Sequence, residues 1–296
     1  MKVAVLGASG QLGRDVCAAF ERSGDDVVPL SHADLELGSS SSVEAALGAS
    51  NPELIVNTAA MHHVEKCESD PAAALQANGI GARNVAEWAK RADIPVAYIS
   101  TDYVFDGKKT SPYVEADSAN PLNVYGITKL TGEHFTAVTA QKHFVLRVSA
   151  IYGRNPCRAK GGLNFVELML KLAKERDELR VVDEEFVTPT PTVQIAAQIV
   201  ALSRTTRYGL YHGTAEGSCS WYEFAREIFD ATGTKVRLER AKSSEFPAKV
   251  PRPGYSVLEN RALKEAQLNT YSHWRDGLHE YLTGRAQTIS TAGAAG

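Results

Sequence analysis

Short apolar runs alternate with helical patterns along most of the chain. The runs at residues 3–6, 27–30, 54–57, 96–100, 144–148 and 180–182 predict strands, and the continuous run at 3–6 is typical of a strand buried on both faces. Apolar residues at helical spacing fill most of the gaps, beginning with Leu12, Val16 and Phe20. This alternation predicts an α/β fold built on a doubly wound parallel sheet with right-handed crossovers.

From Ile151 onward the pattern changes. A basic, glycine-containing loop at 153–162 and helical patterns at 165–175 and 221–232 fall outside the alternation, and they predict a smaller C-terminal lobe beside the sheet. We therefore expect a sheet domain over 1–152, to which 180–204 returns, and a lobe formed by 153–179 and 205–285. The small and polar residues 286–296 predict a flexible tail.

The first predicted strand runs into "GASGQLG", which places Gly7, Gly10 and Gly13 where a helix begins. Glycines let the backbone come close to a ligand, and the free N–H groups of a helix N-terminus favour a phosphate. The spacing therefore indicates a site for the pyrophosphate of a dinucleotide. Taken alone, the same glycines also fit close packing of the helix on the strand.

Composition limits the classes of partner. At 296 residues, 44% hydrophobic and 23% charged, the chain is long enough to bury a large core, which excludes disordered and fibrous classes. The net charge of -3 gives no general attraction for nucleic acid or an anionic membrane, so we expect a small-molecule partner. No stretch approaches the ~18 apolar residues of a membrane span, and a cytoplasmic protein is expected. The cysteines fit neither a zinc site nor a disulfide framework and should be reduced: Cys17, Cys67, Cys157 and Cys219.

A candidate catalytic group lies in "NVYGITKLTGE". Tyr125 and Lys129 are four residues apart in a helical pattern, so their side chains share one helix face. A cation beside a phenol favours the phenolate, which makes Tyr125 a candidate general acid for a carbonyl being reduced. Thr101 follows the strand predicted at 96–100, at the sheet edge where α/β proteins bind ligands, and its hydroxyl is suited to hold a carbonyl oxygen.

Several motifs together resemble one family. GASGQLG, the NTAA at 57–60, STDYVFDG, PLNVYGITKLTGE and GGLNFVELMLKLAKERDELRVV stand in the order and at the separations typical of the dTDP-4-dehydrorhamnose reductase family, an extended branch of the short-chain dehydrogenase/reductases. The resemblance covers nearly the whole chain. It implies a Rossmann-type cofactor domain, a C-terminal substrate-binding lobe and NADPH-dependent reduction of a nucleotide-linked 4-keto-6-deoxy sugar.

The resemblance also assigns roles to residues. The matching catalytic residues are Thr101, Tyr125 and Lys129, with Lys129 expected to lower the pKa of Tyr125 and to hold the nicotinamide ribose. The candidate cofactor-binding residues are Gly7, Ser9, Gly10, Gln11, Leu12, Gly13, Arg14, Ser31, Glu36, Leu37, Ala59, Ala60, Tyr125 and Lys129. The candidate substrate-binding residues are Asp102, His62, Val64, Ala150, Asn164 and Arg252, the last near the phosphates of the sugar nucleotide.

The type of nicotinamide cofactor is predicted from the second strand. This strand ends in "VVPLSH", without the acid that commonly holds the ribose 2′-hydroxyl of NAD. Arg14, Ser31 and His32 are instead available to accept a 2′-phosphate. We therefore expect a preference for NADPH, with NADH as the alternative.

The chain departs from the family pattern around the sugar. Ala150 stands where the family commonly has a tryptophan, "MHHVEKCE" replaces a "YTAVDKAE"-like run, and "DEEFVTPT" replaces "DQxGxPT". We expect these changes to shift the preferred sugar. The adjacent His62 and His63 predict polar lining of the pocket and no metal site, because neighbouring residues on a strand or loop usually point apart.

Two other functions remain open. One is a nucleotide-sugar epimerase or dehydratase of the same extended branch with tightly held NAD, although the residues after Thr101 lack the Asp-Glu pair of dehydratases. The other is a non-catalytic NADP-binding regulatory subunit, similar to the β subunit of methionine adenosyltransferase. A homodimer is also considered, and the sequence does not identify the sugar, the nucleotide or the oligomeric state.

Overall fold

A six-stranded parallel sheet forms the centre of the computed structural model, which describes residues 1–156, 161–246 and 248–293 and side chains as far as residue 285. The strands along the chain are β1 (Lys2–Leu6), β2 (Asp26–Leu30), β3 (Leu54–Asn57), β4 (Val96–Thr101), β5 (His143–Val148), β6 (Ile151–Tyr152), β7 (Glu178–Val182), β8 (Phe186–Val187), β9 (Thr190–Pro191), β10 (Gly209–His212), β11 (Cys219–Ser220) and β12 (Arg237–Ala241). The central sheet has the order β10-β5-β4-β3-β1-β2. This arrangement confirms the predicted α/β class with a doubly wound parallel sheet.

Helices cover both faces of the sheet and build the C-terminal lobe. They are α1 (Gln11–Arg22), α2 (Ser40–Ser50), α3 (Val64–Ser69), α4 (Pro71–Leu75), α5 (Gly81–Arg91), α6 (Val124–Thr139), α7 (Phe165–Glu175), α8 (Thr192–Ser203), α9 (Trp221–Thr232), α10 (Arg261–Glu265) and α11 (Trp274–Gly293). One turn of π-helix, Gln76–Ile80, joins α4 to α5, and 3-10 turns lie at Asp102–Val104 and Ser243–Glu245. Among the described residues, no helix is both long and apolar enough to cross a bilayer.

The core is divided by the sheet. Alternate residues of β1 serve opposite faces: Val3 and Val5 pack with α1 and α8, whereas Ala4 and Leu6 pack with α2 and α5. A separate apolar cluster, centred on side chains such as Phe224 of α9, forms the core of the lobe. The three described cysteines are free thiols, and Cys157 lies outside the described residues.

Two strands lie elsewhere than predicted. The strand expected at 180–182 does not join the central sheet, because β7 pairs in parallel with β12 in a two-stranded sheet. Its burial alternates, with Leu179 and Val181 buried and Glu178 and Arg180 exposed, as in a strand with one solvent face. The sixth strand of the central sheet is β10, which falls within the segment 205–285 assigned to the lobe. The part of 180–204 that packs on the sheet is α8, whose Ile195 and Ile199 lie in the core beside α1.

The C-terminal segment also differs from its prediction. Residues 286–296 were expected to form a flexible tail, but α11 continues as far as Gly293. The last three residues lie outside the described residues.

Close packing at the switch point of the sheet explains two of the glycines. Strand order reverses between β1 and β3, and ligands bind at the crevice that such a reversal opens. Gly7 has a φ of +77°, and a Cβ there would lie 2.8 Å from the Cα of Ala59 in the turn after β3. A Cβ on Gly13 would lie 2.2 Å from the Gly7 carbonyl oxygen. Gly10 precedes α1, and no side chain caps the first turn of this helix. The backbone N–H groups of that turn are therefore available to a ligand.

The crowding at Gly7 is testable against a second glycine with the same backbone angle. Gly7→Ala should lower the free energy of unfolding by about 2–4 kcal/mol, since the left-handed backbone and the contact with Ala59 both oppose a side chain. Gly24 has a φ of +79° and open space around it, so Gly24→Ala should cost only about 1–2 kcal/mol. Urea unfolding followed by circular dichroism measures both. Equal losses for the two variants would contradict the crowding.

Candidate active site

Helix α6 is docked closely on the end of β4. Asn123 caps the helix by accepting a hydrogen bond from the Gly126 backbone N–H at 2.9 Å. A Cβ on Gly126 would lie 2.2 Å from the carbonyl oxygen of Tyr103, so only glycine lets the first turn of α6 approach the turn that follows β4. The "VYG" of the sequence thereby brings Tyr125 to the carboxyl end of the strand that carries Thr101.

The hydroxyl groups of Thr101 and Tyr125 meet at this edge. Thr101 is buried, and its hydroxyl donates to an Asp102 carboxylate oxygen at 3.0 Å. The pKa of Tyr125 is raised above its usual value, mainly by burial, while a hydrogen bond with Thr101 lowers it and the charge of Asp102 raises it further. Tyr103 packs edge-on against the Tyr125 ring, with centroids 5.8 Å apart. Tyr125 is therefore a neutral phenol with a proton to donate.

Lys129 lies on the same face of α6, as predicted from the spacing, but its ammonium has a different neighbour. The residue is 2% exposed, and its Nζ lies 4.0 Å from the centroid of the Tyr98 ring. Burial lowers the pKa of Lys129 to about 7, against the charge of Glu133, which raises it. Burial raises the pKa of Tyr125 overall, so the lowering expected from Lys129 does not set its value, and that effect stays a prediction.

A buried ion pair fastens α6 to the sheet. Arg147 of β5 donates from Nε and Nη2 to the two carboxylate oxygens of Glu133, at 2.9 and 2.7 Å. Ser100, next to Thr101 on β4, also donates to Glu133, at 2.5 Å. Local patterns do not reveal this pair, although Glu133 follows Lys129 by one helical turn within the quoted motif. The pair sets the position of α6 relative to β4.

Asp102 is a buried carboxylate at the centre of the site. Besides Thr101, Ser149 donates to it at 2.9 Å, and Ser256 from the C-terminal half forms a further hydrogen bond. Burial raises the pKa of Asp102, while these three hydroxyl groups oppose the shift. Ala150, the residue after Ser149, has a φ of +44° in the left-handed region, so its position in the pocket is set by an unusual backbone.

The predicted cofactor residues surround the switch point. Gly7, Ala59 and Ala60 form the facing turns after β1 and β3, and Leu37 is buried beside them in the core below β1. The Gln11 side chain donates to the carbonyl oxygens of Gly153 and Asn155, so only its backbone is free for a phosphate. An open cavity of about 470 Å³ lies beside these turns, and three of the predicted residues line it: Ser9, Arg14 and Ser31. The other lining residues are Ala8, Asp15, Cys17, Ala18, Glu21, Pro29 and Asn155. These turns, free helix amides and cavity fit a dinucleotide.

One acid at the end of β2 was missed. The Ser31 hydroxyl donates to Asp34 at 2.6 Å, and the Ser31 backbone N–H donates to the same oxygen at 2.8 Å. These bonds lower the pKa of Asp34, which stays ionised. The strand itself ends without an acid, as the sequence indicates, but the following turn brings Asp34 back onto Ser31. Glu36 is exposed and accepts from the Gly38 backbone N–H at 3.2 Å.

On the substrate side, Arg252 lies at the rim of the site. Its Nη2 donates to Glu65 at 2.6 Å, and the charges of Glu65 and Glu185 help to raise its pKa. Asn123 donates to the carbonyl oxygen of Pro251 at 2.9 Å, so the cap of α6 also ties down the loop that carries Arg252. Local patterns do not single out Glu65, the second residue of α3, although it lies within the "MHHVEKCE" departure.

The other predicted substrate residues differ in the exposure and hydrogen bonding of their side chains. Asn164 caps α7, and its Nδ2 donates to Gly153 and Tyr281, so its polar atoms are all engaged within the protein. His62 is exposed and Val64 is half-buried at the start of α3. His63 caps α3 by accepting from the Lys66 backbone N–H. Within the described part of the chain, no group of three or more His, Cys, Asp or Glu side chains is arranged to hold a metal ion.

The fold, with Thr101, Tyr125 and Lys129 at its ligand-binding edge, defines a Rossmann-type protein with the architecture of the short-chain dehydrogenase/reductases. Comparison with known proteins narrows this class. The chain belongs to the family described as the RmlD substrate binding domain, whose model matches residues 1–286. This match confirms the resemblance identified from the sequence.

Individual relatives cover nearly the whole chain. The spore coat polysaccharide biosynthesis protein SpsK of Bacillus subtilis is 39% identical over 285 residues, 96% of this chain and 98% of that protein. A dTDP-4-dehydrorhamnose reductase from Clostridium acetobutylicum superposes with a TM-score of 0.91 at 37% identity, covering 96% of this chain and 99% of the other. The dTDP-4-dehydrorhamnose reductase of Bacillus anthracis in complex with NADP has the same TM-score and coverages at 34% identity.

Asp34 should weaken the binding of a cofactor that carries a 2′-phosphate. Asp34→Asn should tighten NADPH binding about fivefold relative to NADH, because a carboxylate beside Ser31 repels the phosphate. Arg14→Ala should weaken NADPH and leave NADH nearly unchanged. Fluorescence titrations with both cofactors measure the ratio, and Asp276→Asn in α11 is the control for loss of an acid. An unchanged ratio in both Asp34→Asn and Arg14→Ala would place the 2′-phosphate elsewhere.

Proposed function

We propose that the protein is an NADPH-dependent reductase of a nucleotide-linked 4-keto-6-deoxy sugar. The observation that carries this proposal is the meeting of the Thr101 and Tyr125 hydroxyl groups at the sheet edge, beside the glycine turn and the free amides of α1. The names of the family members support it, since the C. acetobutylicum and B. anthracis relatives are dTDP-4-dehydrorhamnose reductases, the latter solved with NADP.

The site residues divide the chemistry among them. Tyr125, kept neutral by burial, protonates the carbonyl oxygen, and Thr101 turns its hydroxyl from Asp102 to donate a hydrogen bond to that oxygen. Lys129 holds the nicotinamide ribose, and its ammonium stabilises the phenolate that forms as Tyr125 loses its proton. When bound along Gly7–Gly13 and Ala59, NADPH supplies the hydride. Burial of Asp102 and packing of Tyr103 on Tyr125 keep water from the reacting groups.

Arg252 is proposed to bind the phosphates of the sugar nucleotide. It engages Glu65 through one guanidinium nitrogen, which leaves other N–H groups for a phosphate. Binding through the nucleotide orients the small sugar at Tyr125, so that a large part of the binding energy comes from outside the reacting centre.

The sugar itself is proposed to differ from 4-dehydrorhamnose. Ala150 replaces an aromatic side chain of the family and leaves room beside Ser149, which favours a bulkier keto sugar. His62, Val64 and Met61 line the facing side of the proposed pocket. We further propose that the enzyme works in the cytoplasm. We also propose that it forms a homodimer, and light scattering measures this oligomeric state directly.

One experiment separates this function from its alternatives. NADPH absorbance is followed with a panel of enzymatically prepared dTDP-, GDP- and UDP-linked 4-keto-6-deoxy sugars. Turnover with a member of the panel supports the reductase and identifies its sugar. Tight NADP binding without turnover of any member would instead support a regulatory subunit, and interconversion of sugar epimers with bound NAD would support an epimerase.

Tyr125→Phe tests the acid. The variant keeps the ring that packs on Tyr103 but removes the only proton donor proposed for the carbonyl, so turnover should fall by about 100-fold or more. NADPH binding should survive. Tyr208→Phe, which removes a phenol that packs on Phe144 away from the site, is the control. Near-normal turnover in Tyr125→Phe would remove Tyr125 from the mechanism.

Ala150→Trp tests the altered sugar pocket. Restoring an aromatic wall is worth about 1 kcal/mol, so kcat/KM for dTDP-4-dehydrorhamnose should rise about fivefold while that for the preferred sugar falls. Ala150→Leu imposes the same left-handed backbone strain on a side chain without an aromatic face and should give no such gain. The shifted specificity is wrong if the wild-type protein already prefers dTDP-4-dehydrorhamnose over every other sugar of the panel.

A further inference from the structure

The ammonium of Lys129 lies against an aromatic face deep in the protein. Its Nζ is 4.0 Å from the centroid of the Tyr98 ring, and both residues are almost fully buried. No hydrogen bond or ion pair to this Nζ is found within the part of the chain that the structure describes. A buried ammonium in such surroundings loses its proton easily, unless something stabilises the charged form.

The Tyr98 ring is held rigidly in this position. Its hydroxyl donates to the carbonyl oxygen of Asn78 at 3.0 Å and lies 3.4 Å from that of Lys129. A Cβ on Gly132 would lie 2.2 Å from the Tyr98 hydroxyl, so the glycine of "KLTGE" is what allows the ring to pass under α6. The ring is thus fixed at its hydroxyl end, with its face towards the Lys129 side chain.

The other titratable groups around Lys129 offer it no unpaired negative charge. Glu133, one turn further along α6, raises the pKa of Lys129, but its carboxylate oxygens are both bonded to Arg147. Cys67 of α3 is a neutral thiol, because burial raises its pKa to about 11. Tyr98 and Tyr125 are neutral as well, since burial raises the pKa of each. The electron-rich ring face is the group in contact with the ammonium.

We propose that Tyr98 is a positioning residue for Lys129: its ring face holds the ε-ammonium and favours its charged form. A cation over an aromatic face is stabilised by the ring quadrupole, most strongly where water is absent. The contribution comes from the ring, whereas the hydroxyl serves to orient it. The role of Lys129 in catalysis rests on the proposed function, but its state of protonation is measurable without substrate or cofactor.

Nuclear magnetic resonance of the ligand-free protein, labelled with ¹³C and ¹⁵N in lysine, reports the pKa of Lys129, with Lys129→Met for assignment. Tyr98→Leu should lower this pKa by about one unit, because loss of a desolvated cation–π contact is worth about tenfold. Tyr98→Phe keeps the ring and should restore the wild-type value. The thermal stability of Tyr98→Phe should nevertheless fall, since the contacts of the Tyr98 hydroxyl are lost. Equal pKa values for Lys129 in Tyr98→Leu and in the wild-type protein would overturn the proposal.

A shape-preserving replacement covers the case in which Tyr98→Leu fails to fold. A phenylalanine fluorinated at three ring positions in place of Tyr98 keeps the volume and weakens the ring quadrupole, so the pKa of Lys129 should fall relative to Tyr98→Phe. No difference between these two aromatic rings would also overturn the proposal.

The pH profile of turnover links the contact between Lys129 and Tyr98 to catalysis. An ammonium that deprotonates one unit lower should make Tyr98→Leu about twofold slower than wild type at pH 6 and about tenfold slower at pH 8. A purely structural defect would lower turnover equally at both values, and that result would overturn the proposal. Absence of turnover in the wild-type protein would concern the proposed function alone, because the resonance measurement does not depend on it.

Discussion

The buried ion pair between Glu133 and Arg147 is the contact on which the geometry of the site depends. It joins α6 to β5, and Ser100 extends it to β4, so the helix that carries Tyr125 and the strand that carries Thr101 are held by the same carboxylate. Removal of one partner of such a pair costs about 3–5 kcal/mol, because the other charge is left buried and alone. A small slide of α6 along the sheet would therefore meet a steep energy barrier.

Burial then sets the proton chemistry. The same exclusion of water raises the pKa of Tyr125 and lowers that of Lys129, so the site holds a proton on the phenol and only weakly on the amine. Asp102 is held in this environment by hydrogen bonds from three hydroxyl groups, which oppose the rise in its pKa that burial causes. Groups whose proton affinity is shifted in this way cluster at catalytic sites.

The two outer edges of the site are governed by carboxylates. At the cofactor edge, Asp34 sits on Ser31 beside the cavity that Arg14 lines. At the substrate edge, Glu65 holds Arg252, and Asn123 ties its loop to the first turn of α6. Arg252, the basic residue proposed for the sugar-nucleotide phosphates, therefore has an acid in direct contact. Such pairing limits non-specific attraction of anions and leaves selection to groups that replace or share these contacts.

The amino-acid sequence by itself determined the α/β class, five of the six central strands, the glycine turn and the spacing that places Tyr125 and Lys129 on one face, because these follow from local periodicity and steric rules. Only the tertiary structure decided the rest. β7 pairs outside the central sheet and β10 pairs within it, because the partner of a strand depends on which distant segments pack against it. Asp34 accepts hydrogen bonds from Ser31, Asn164 uses its polar atoms in hydrogen bonds within the protein, and Lys129 contacts the Tyr98 ring. Each of these depends on contacts between residues far apart in the chain or on the path of a turn, which local patterns do not encode.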